Sequence, residues 1–257
     1  MTPILRTREL SVSFGGVRAL TGVDLEVSEG QLVGLIGPNG AGKTTFVDAI
    51  TGFVSYHGSV ELDGRTLDGL PAHARAKLGL VRTWQATELF DDLTVRENVA
   101  VAAYRPSFLT TIKELFTPPP ASPPSVDEAL ELLGIASLAS EMPADLSQGQ
   151  RKLVGVARAL AERTRVLCLD EPAAGLDTAE SEQLGRELRQ VADAGTAMLL
   201  IDHDMGLVLG ICDDVYVLEF GKLIAHGPPQ VVRADPAVIE AYLGSAAGEL
   251  AGETAAG

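Results

Sequence analysis

Gly37-Pro38-Asn39-Gly40-Ala41-Gly42-Lys43-Thr44 is the stretch on which the fold turns. It follows the apolar run Leu32-Val33-Gly34-Leu35-Ile36. It precedes Thr45-Phe46-Val47-Asp48-Ala49-Ile50, which reads as a helix. The pattern G-x-x-x-x-G-K-[ST] between a strand and a helix is that of a phosphate-binding loop. A polyphosphate must be wrapped by backbone N–H groups, and glycines let the backbone come close without a Cβ. The helix behind the loop adds free N–H donors and the positive end of its dipole. Lys43 is predicted to reach the β- and γ-phosphates of a nucleotide, and the Thr44 hydroxyl to ligate Mg²⁺. A bare glycine turn is the plain alternative at this point.

The 257 residues permit one large domain, or a domain carrying a subdomain. Acidic residues number 35 against 20 basic ones, a net charge of −15. No basic excess is available to neutralise phosphates along a strand, which argues against nucleic acid as the main partner. Cys168 and Cys212 stand far apart, without other Cys or His at ligand spacing, so neither a disulfide framework nor a zinc site is expected. Cys168 lies in an apolar run and reads as a small buried hydrophobe. Met1 to Arg6 lacks the apolar segment of a signal peptide. No run approaches the roughly 20 apolar residues needed to span a bilayer. A soluble, cytoplasmic protein able to dock on a membrane protein is the expectation.

Leu5–Phe14 and Val17–Val27 alternate apolar and polar residues about Gly15-Gly16, the pattern of an antiparallel hairpin. Leu32–Ile36 is a strand buried on both faces. Gly58–Leu62 is a short strand before the Asp63-Gly64 turn, Pro71–Leu78 a helix, and Leu80–Trp84 a strand ending at Gln85. Thr94 to about Glu162 is mainly helical. It is broken by Thr117-Pro118-Pro119-Pro120-Ala121-Ser122-Pro123-Pro124, a stiff connector or a ligand for a Pro-binding module. Strand–helix alternation resumes over Arg165–Leu169, Ala179–Ala194, Thr196–Ile201, Gly206–Cys212 and Val215–Phe220. This is an α/β pattern with a largely parallel sheet.

Val166-Leu167-Cys168-Leu169-Asp170-Glu171 is an apolar strand ending in two carboxylates. In such sheets ligands sit beyond the carboxyl ends of the strands. There Asp170 can hold Mg²⁺ and Glu171 can take a proton from an attacking water. Taken alone, the pair reads equally well as a helix cap or a surface loop.

Leu146-Ser147-Gln148-Gly149-Gln150 opens a helix predicted over Arg151–Ala161, with Ser147 a good N-cap. These residues also resemble the signature L-S-G-G-Q of ATP-binding cassette (ABC) ATPases. The resemblance runs over nearly the whole chain. Gln85 in Thr83-Trp84-Gln85 is similar to the family's Q-loop, Ala174-Gly175-Leu176-Asp177 to its D-loop, and His203 in Ile201-Asp202-His203-Asp204 to its H-loop. Phe14 falls where the family places an aromatic that stacks on adenine; alone it reads as a core residue. Two departures are visible: Gln148 stands at the third signature position, and Phe14 replaces the commoner Tyr. The Pro-rich connector also lies outside the family's shared pattern.

The resemblance implies a P-loop NTPase core with a mainly parallel sheet, an N-terminal antiparallel β subdomain and an inserted α-helical subdomain at about 86–162. The ATPase domain would run over 1–244 with the connector at 117–124, leaving 245–257 as a disordered tail rich in Ala, Gly and Glu. ATP and Mg²⁺ are the implied cofactors. Two subunits pair head to tail. Gly37, Pro38, Asn39, Gly40, Ala41, Gly42, Lys43, Thr44 and Thr45 hold the nucleotide, and Phe14 stacks on its base. Thr44, Gln85 and Asp170 serve the metal. Glu171 polarises water, His203 contacts the γ-phosphate, and Gln85 couples the site to the helical subdomain. Ser147, Gly149, Gln150 and Asp177 complete the site of the opposite subunit. The surface between Gln85 and Asn98 receives a short helix from a membrane subunit.

Within the family, Gly37–Gly52, Arg82–Gln85, Leu93–Val99, Asp170–Asp177, His203–Cys212 and Ile239–Gly244 look like the ATPase subunits of branched-chain amino-acid uptake systems. Urea and short-amide importers have close relatives, and the lipopolysaccharide-export ATPase is a more distant look-alike. An importer motor at the cytoplasmic face of the cell membrane is thus implied. Its partners are permease subunits, a second ATPase of the same or a paralogous kind, and indirectly a solute-binding protein. An export-type ATPase is the alternative. A soluble ABC protein acting on ribosomes or DNA is a further one, although such proteins usually carry two cassettes or a long coiled coil and this chain has one cassette and no heptad run.

Overall fold

The computed structural model describes residues 3–83, 88–103, 124–162 and 164–242. The apolar runs become parallel strands: β3 (Leu32–Ile36), β6 (Leu80–Arg82), β7 (Val166–Asp170), β8 (Ala197–Ile201) and β9 (Asp214–Glu219). With β10 (Lys222–Gly227) they form a six-stranded sheet in the order β10-β9-β3-β8-β7-β6. Only β10, at the edge, runs antiparallel to its neighbour. β3, β7 and β8 are buried at every position. Their side chains divide by parity. On β7, Leu167 and Leu169 join one core and Val166 and Cys168 the other.

The second core lies against an antiparallel sheet, β2-β1-β4-β5. It comprises β1 (Pro3–Phe14), β2 (Val17–Ser28), β4 (His57–Leu62) and the short β5 (Arg65–Thr66). The hairpin read from the alternating pattern is present, with Phe14 opposite Val17 at its turn. Helix α1 (Lys43–Thr51) is packed in this core through Phe46, Val47, Ala49 and Ile50. Its C-terminal carbonyls are held by Arg75 of α2 (Ala72–Lys77), whose Nη1 donates to Ala49 O at 3.0 Å and Ile50 O at 2.8 Å. A buried cation at a helix C-terminus satisfies carbonyls that the helix leaves open and favours its dipole.

On the other face α3 (Val95–Ala103), α4 (Pro124–Leu132) and α5 (Gln148–Leu160) pack on one another. Thr94 and Glu97 form a reciprocal cap at the start of α3. Asn98 is fully buried, and its amide bonds Phe90 N, Phe90 O, Leu93 O and Thr94 O. Side-chain bonds thus fix the loop ahead of α3. Helices α6 (Thr178–Asp193) and α7 (Met205–Ile211) complete this layer.

Two expectations need correction. The helix expected from Arg151 starts at Gln148, because Ser147 and Gln150 already close a capping box. The strand expected over Val215–Phe220 ends at Glu219, and Phe220 belongs to a turn into β10. β10 and α8 (Pro229–Ala234) carry no clear apolar period and were not anticipated. The Pro-rich connector, apart from the start of α4, lies outside the described residues, as do Gln85 and the tail at 245–257.

Candidate nucleotide site

The loop from Gly37 joins β3 to α1 and fits tightly between elements. A Cβ on Gly37 would stand 2.0 Å from Leu218 O of β9, closer than any side chain can come. Lys43 turns back along the loop, and its Nζ donates to Gly37 O at 2.7 Å and Pro38 O at 3.1 Å. Burial lowers its pKa, partly offset by the negative charges of Glu171, Asp170 and Asp202. α1 begins at Gly42 with no side-chain cap. In contrast α5, α6 and α7 each start under a side-chain oxygen, from Ser147, Asp177 and Asp204. The N–H groups at the head of α1 are therefore left for an anion.

A cleft of about 460 Å³ opens there. It is lined by the loop from Asn39 to Thr45, by Glu171, by Val17, Arg18 and Ala19 at the start of β2, and by Phe220. Phe14, 54% exposed, stands across the hairpin from Val17 and is outside this lining.

The carboxyl ends of β7 and β8 supply the other candidates. Asp170 is buried, and its Oδ2 accepts from Arg82 Nη2 at 2.6 Å. Arg82 also pairs with Asp48 of α1. Its pKa is raised: burial acts against the charge, but bonds to Asp48 and Asp170 outweigh it. Asp170 Oδ1 is buried without a hydrogen-bond partner among the described residues. An orphaned buried carboxylate oxygen beside a phosphate loop suits a hard cation such as Mg²⁺, which is commonly held by one or two carboxylates with substrate oxygens. Removal of the arginine leaves two carboxylates without their cation. Arg82→Leu should lower stability by about 3 kcal/mol in urea unfolding. A loss below about 1 kcal/mol would show the pairing to be screened by solvent.

Glu171 adopts a left-handed backbone at φ 48, and its N–H donates to Ile201 O at 2.7 Å. A non-glycine residue held there stores strain that neighbouring structure must maintain. Asp202, at the end of β8, is fully buried and accepts from Ala173 N at 3.2 Å and Asp204 N at 3.0 Å. His203 follows it, with the ring 62% exposed and Nδ1 3.5 Å from Asp202 Oδ1. His203 does not line the cleft.

The signature residues and the D-loop form a separate cluster. Ser147 Oγ accepts from Gln150 N at 3.3 Å, and Gln150 Oε1 accepts from Ser147 N at 2.8 Å. Gly149 N donates to Glu180 Oε1 at 3.3 Å, and Asp177 caps α6. The Gln148 amide lies against Gly175 of the D-loop, 2.7 Å from where a Cβ would be. Gln148 therefore fills a space that the neighbouring glycine leaves. None of Ser147, Gly149, Gln150 and Asp177 lines the cleft. Ser147→Ala should cost about 1 kcal/mol of stability through the lost cap, measurable by thermal unfolding.

Arg82, Asp48, Asn98 and Phe220 were not assigned roles by sequence reasoning. Arg82 and Asp48 are 34 positions apart, and only the fold shows that they meet.

Comparison with known proteins places the chain in a family. The model of the ABC transporter family matches residues 20–174. That of the branched-chain amino acid ATP-binding cassette transporter matches residues 222–248. The chain is 40% identical over 253 residues to the high-affinity branched-chain amino acid transport ATP-binding protein BraF of Pseudomonas aeruginosa, covering 95% of this chain and 99% of that one. It is 34% identical over 242 residues to the lipopolysaccharide export system ATP-binding protein LptB of Escherichia coli, covering 93% and 97%. The crystal structure of an ATP-binding cassette of an ABC transporter in its ADP conformation superposes with a TM-score of 0.81 at 30% identity, covering 95% of this chain and 100% of that one. The chain belongs to the ABC transporter family, as one of its ATP-hydrolysing cassettes.

Proposed function

We propose that this chain is the motor subunit of an importer for branched-chain amino acids or related small solutes. The observation that carries the reading is the match along almost the whole chain to BraF, together with the separate match of residues 222–248 to the branched-chain cassette. The export reading rests on a lower identity, 34% against 40%.

In this reading the loop from Gly37 to Thr45 and the uncapped head of α1 bind the triphosphate of ATP. Lys43 supplies positive charge to its terminal phosphates. Thr44 and Asp170 would hold Mg²⁺, with Gln85, and when bound the ion neutralises phosphate charge. Arg82 fixes one Asp170 oxygen and leaves the other for that role. Glu171 takes a proton from the attacking water. His203 steadies the γ-phosphate, and Phe14 packs near the base. Ser147, Gly149, Gln150 and Asp177 lie outside the cleft of their own chain. They serve a second subunit, identical or paralogous, bound head to tail, where Ser147 and the head of α5 offer donors to its γ-phosphate.

No helix among the described residues is long and apolar enough to cross a membrane. In the importer reading, transport is coupled through permease subunits at the cytoplasmic face. The surface from Glu88 to Glu97, with Phe90 45% exposed beneath Arg158, is the proposed landing place for a permease helix. Affinity purification of the tagged chain from membranes should recover two permease subunits. Growth on a limiting branched-chain amino acid should fail when the chain is deleted. Recovery of a lipid-exporting permease instead would overturn the import reading.

A further inference from the structure

We propose that Phe220 is a contact for the base of the bound nucleotide. The inference rests on the nucleotide reading above and adds to it a residue from the carboxyl-terminal part of the chain.

Glu219 pairs with Lys222, so Phe220 and Gly221 make a two-residue hairpin turn. Both have positive φ, 44 for Phe220 and 76 for Gly221. Such a turn favours Asn, Asp or Gly at its first central position, and a phenylalanine there is strained. The residue is also 84% exposed, more than any other large hydrophobic among the described residues. Neither packing nor turn geometry therefore explains it. A local conflict of this kind is expected where a residue is kept for a ligand.

The turn is fixed beside the phosphate loop. Gly221 N donates to Ala41 O at 2.9 Å, and Thr21 N donates to Gly221 O at 2.8 Å. Phe220 consequently lines the same cleft as Lys43, Thr44 and Glu171, together with the apolar Val17. The charged end of a nucleotide belongs at the head of α1, where the N–H groups and Lys43 are. An uncharged aromatic ring in the same cleft matches the only apolar, planar part of the ligand, its base.

The test uses the full chain and two probes, Mg-ATP and Mg-tripolyphosphate, the latter lacking a base, each titrated by calorimetry. Phe220→Asn suits the turn and should unfold about 2 °C higher. It should bind ATP about tenfold more weakly or worse, with tripolyphosphate unchanged. Phe220→Trp should keep ATP affinity, and its emission should respond to ATP and not to tripolyphosphate. Equal ATP affinity in Phe220→Asn and wild type overturns the inference, including the case in which only subunit pairing is lost. Equal weakening toward both probes also overturns it, since the loop itself would then be disturbed. If wild type fails to bind ATP, the nucleotide reading falls instead.

Discussion

Glu171→Gln is expected to keep ATP bound while hydrolysis falls by about 100-fold or more. The side chain keeps its length, so the cleft keeps its shape. The main-chain bond from residue 171 to Ile201 O does not depend on the carboxylate. What is lost is the carboxylate that, in the proposed mechanism, accepts a proton from water. The substitution also removes the largest of the negative charges that favour the Lys43 ammonium, which shifts the Lys43 pKa further down. In the proposed head-to-tail arrangement, ATP that is held and not cleaved keeps two subunits together. Size-exclusion chromatography with Mg-ATP should therefore show a dimer that wild type forms only transiently. Near-normal turnover would remove Glu171 from the role of base.

Lys43→Ala is expected to weaken ATP binding by about 100-fold, the scale of a charge-assisted bond withdrawn from a partly buried site. Equilibrium titration with a fluorescent ATP analogue reads this directly, and an unchanged affinity would contradict the phosphate-cradle reading. A pH signature accompanies it. Burial lowers the Lys43 pKa below the ordinary 10.5, so between the folded value and 10.5 the unfolded chain binds more protons. Stability must then rise with pH across that window. The rise is present in wild type and absent in Lys43→Ala, so the difference between their unfolding free energies should climb as pH approaches 10.5.

The loop was legible because its residue types are dictated by backbone chemistry within eight positions. The β1–β2 hairpin was legible because one face is buried and the other wet, so its sequence alternates about Gly15-Gly16. The buried strands were legible as unbroken apolar runs, with parity dividing their side chains between two cores. Other features depend on contacts that the linear order does not display. Arg82 meets Asp170 only because β6 pairs with β7, 88 positions away. Asn98 looks like any polar helix residue until its four backbone partners are seen. β10 was missed because an exposed edge strand needs little apolar content. Its turn was missed because Phe-Gly lacks the Asn-Gly or Asp-Gly signal of a tight hairpin.

The left-handed residue at the end of β7 has a consequence for where two neighbouring carboxylates are aimed. Along a strand, consecutive side chains leave on opposite sides of the sheet. Asp170 follows Val166 and Cys168 toward the side of α1, where Arg82 joins it to Asp48. An unbroken strand would send Glu171 to the other side. The reversal at φ 48 brings it instead into the cleft with Lys43 and Thr44. An Asp-Glu dipeptide grafted onto another strand would thus aim its acids apart unless the graft carried this reversal and the neighbouring main chain that holds it.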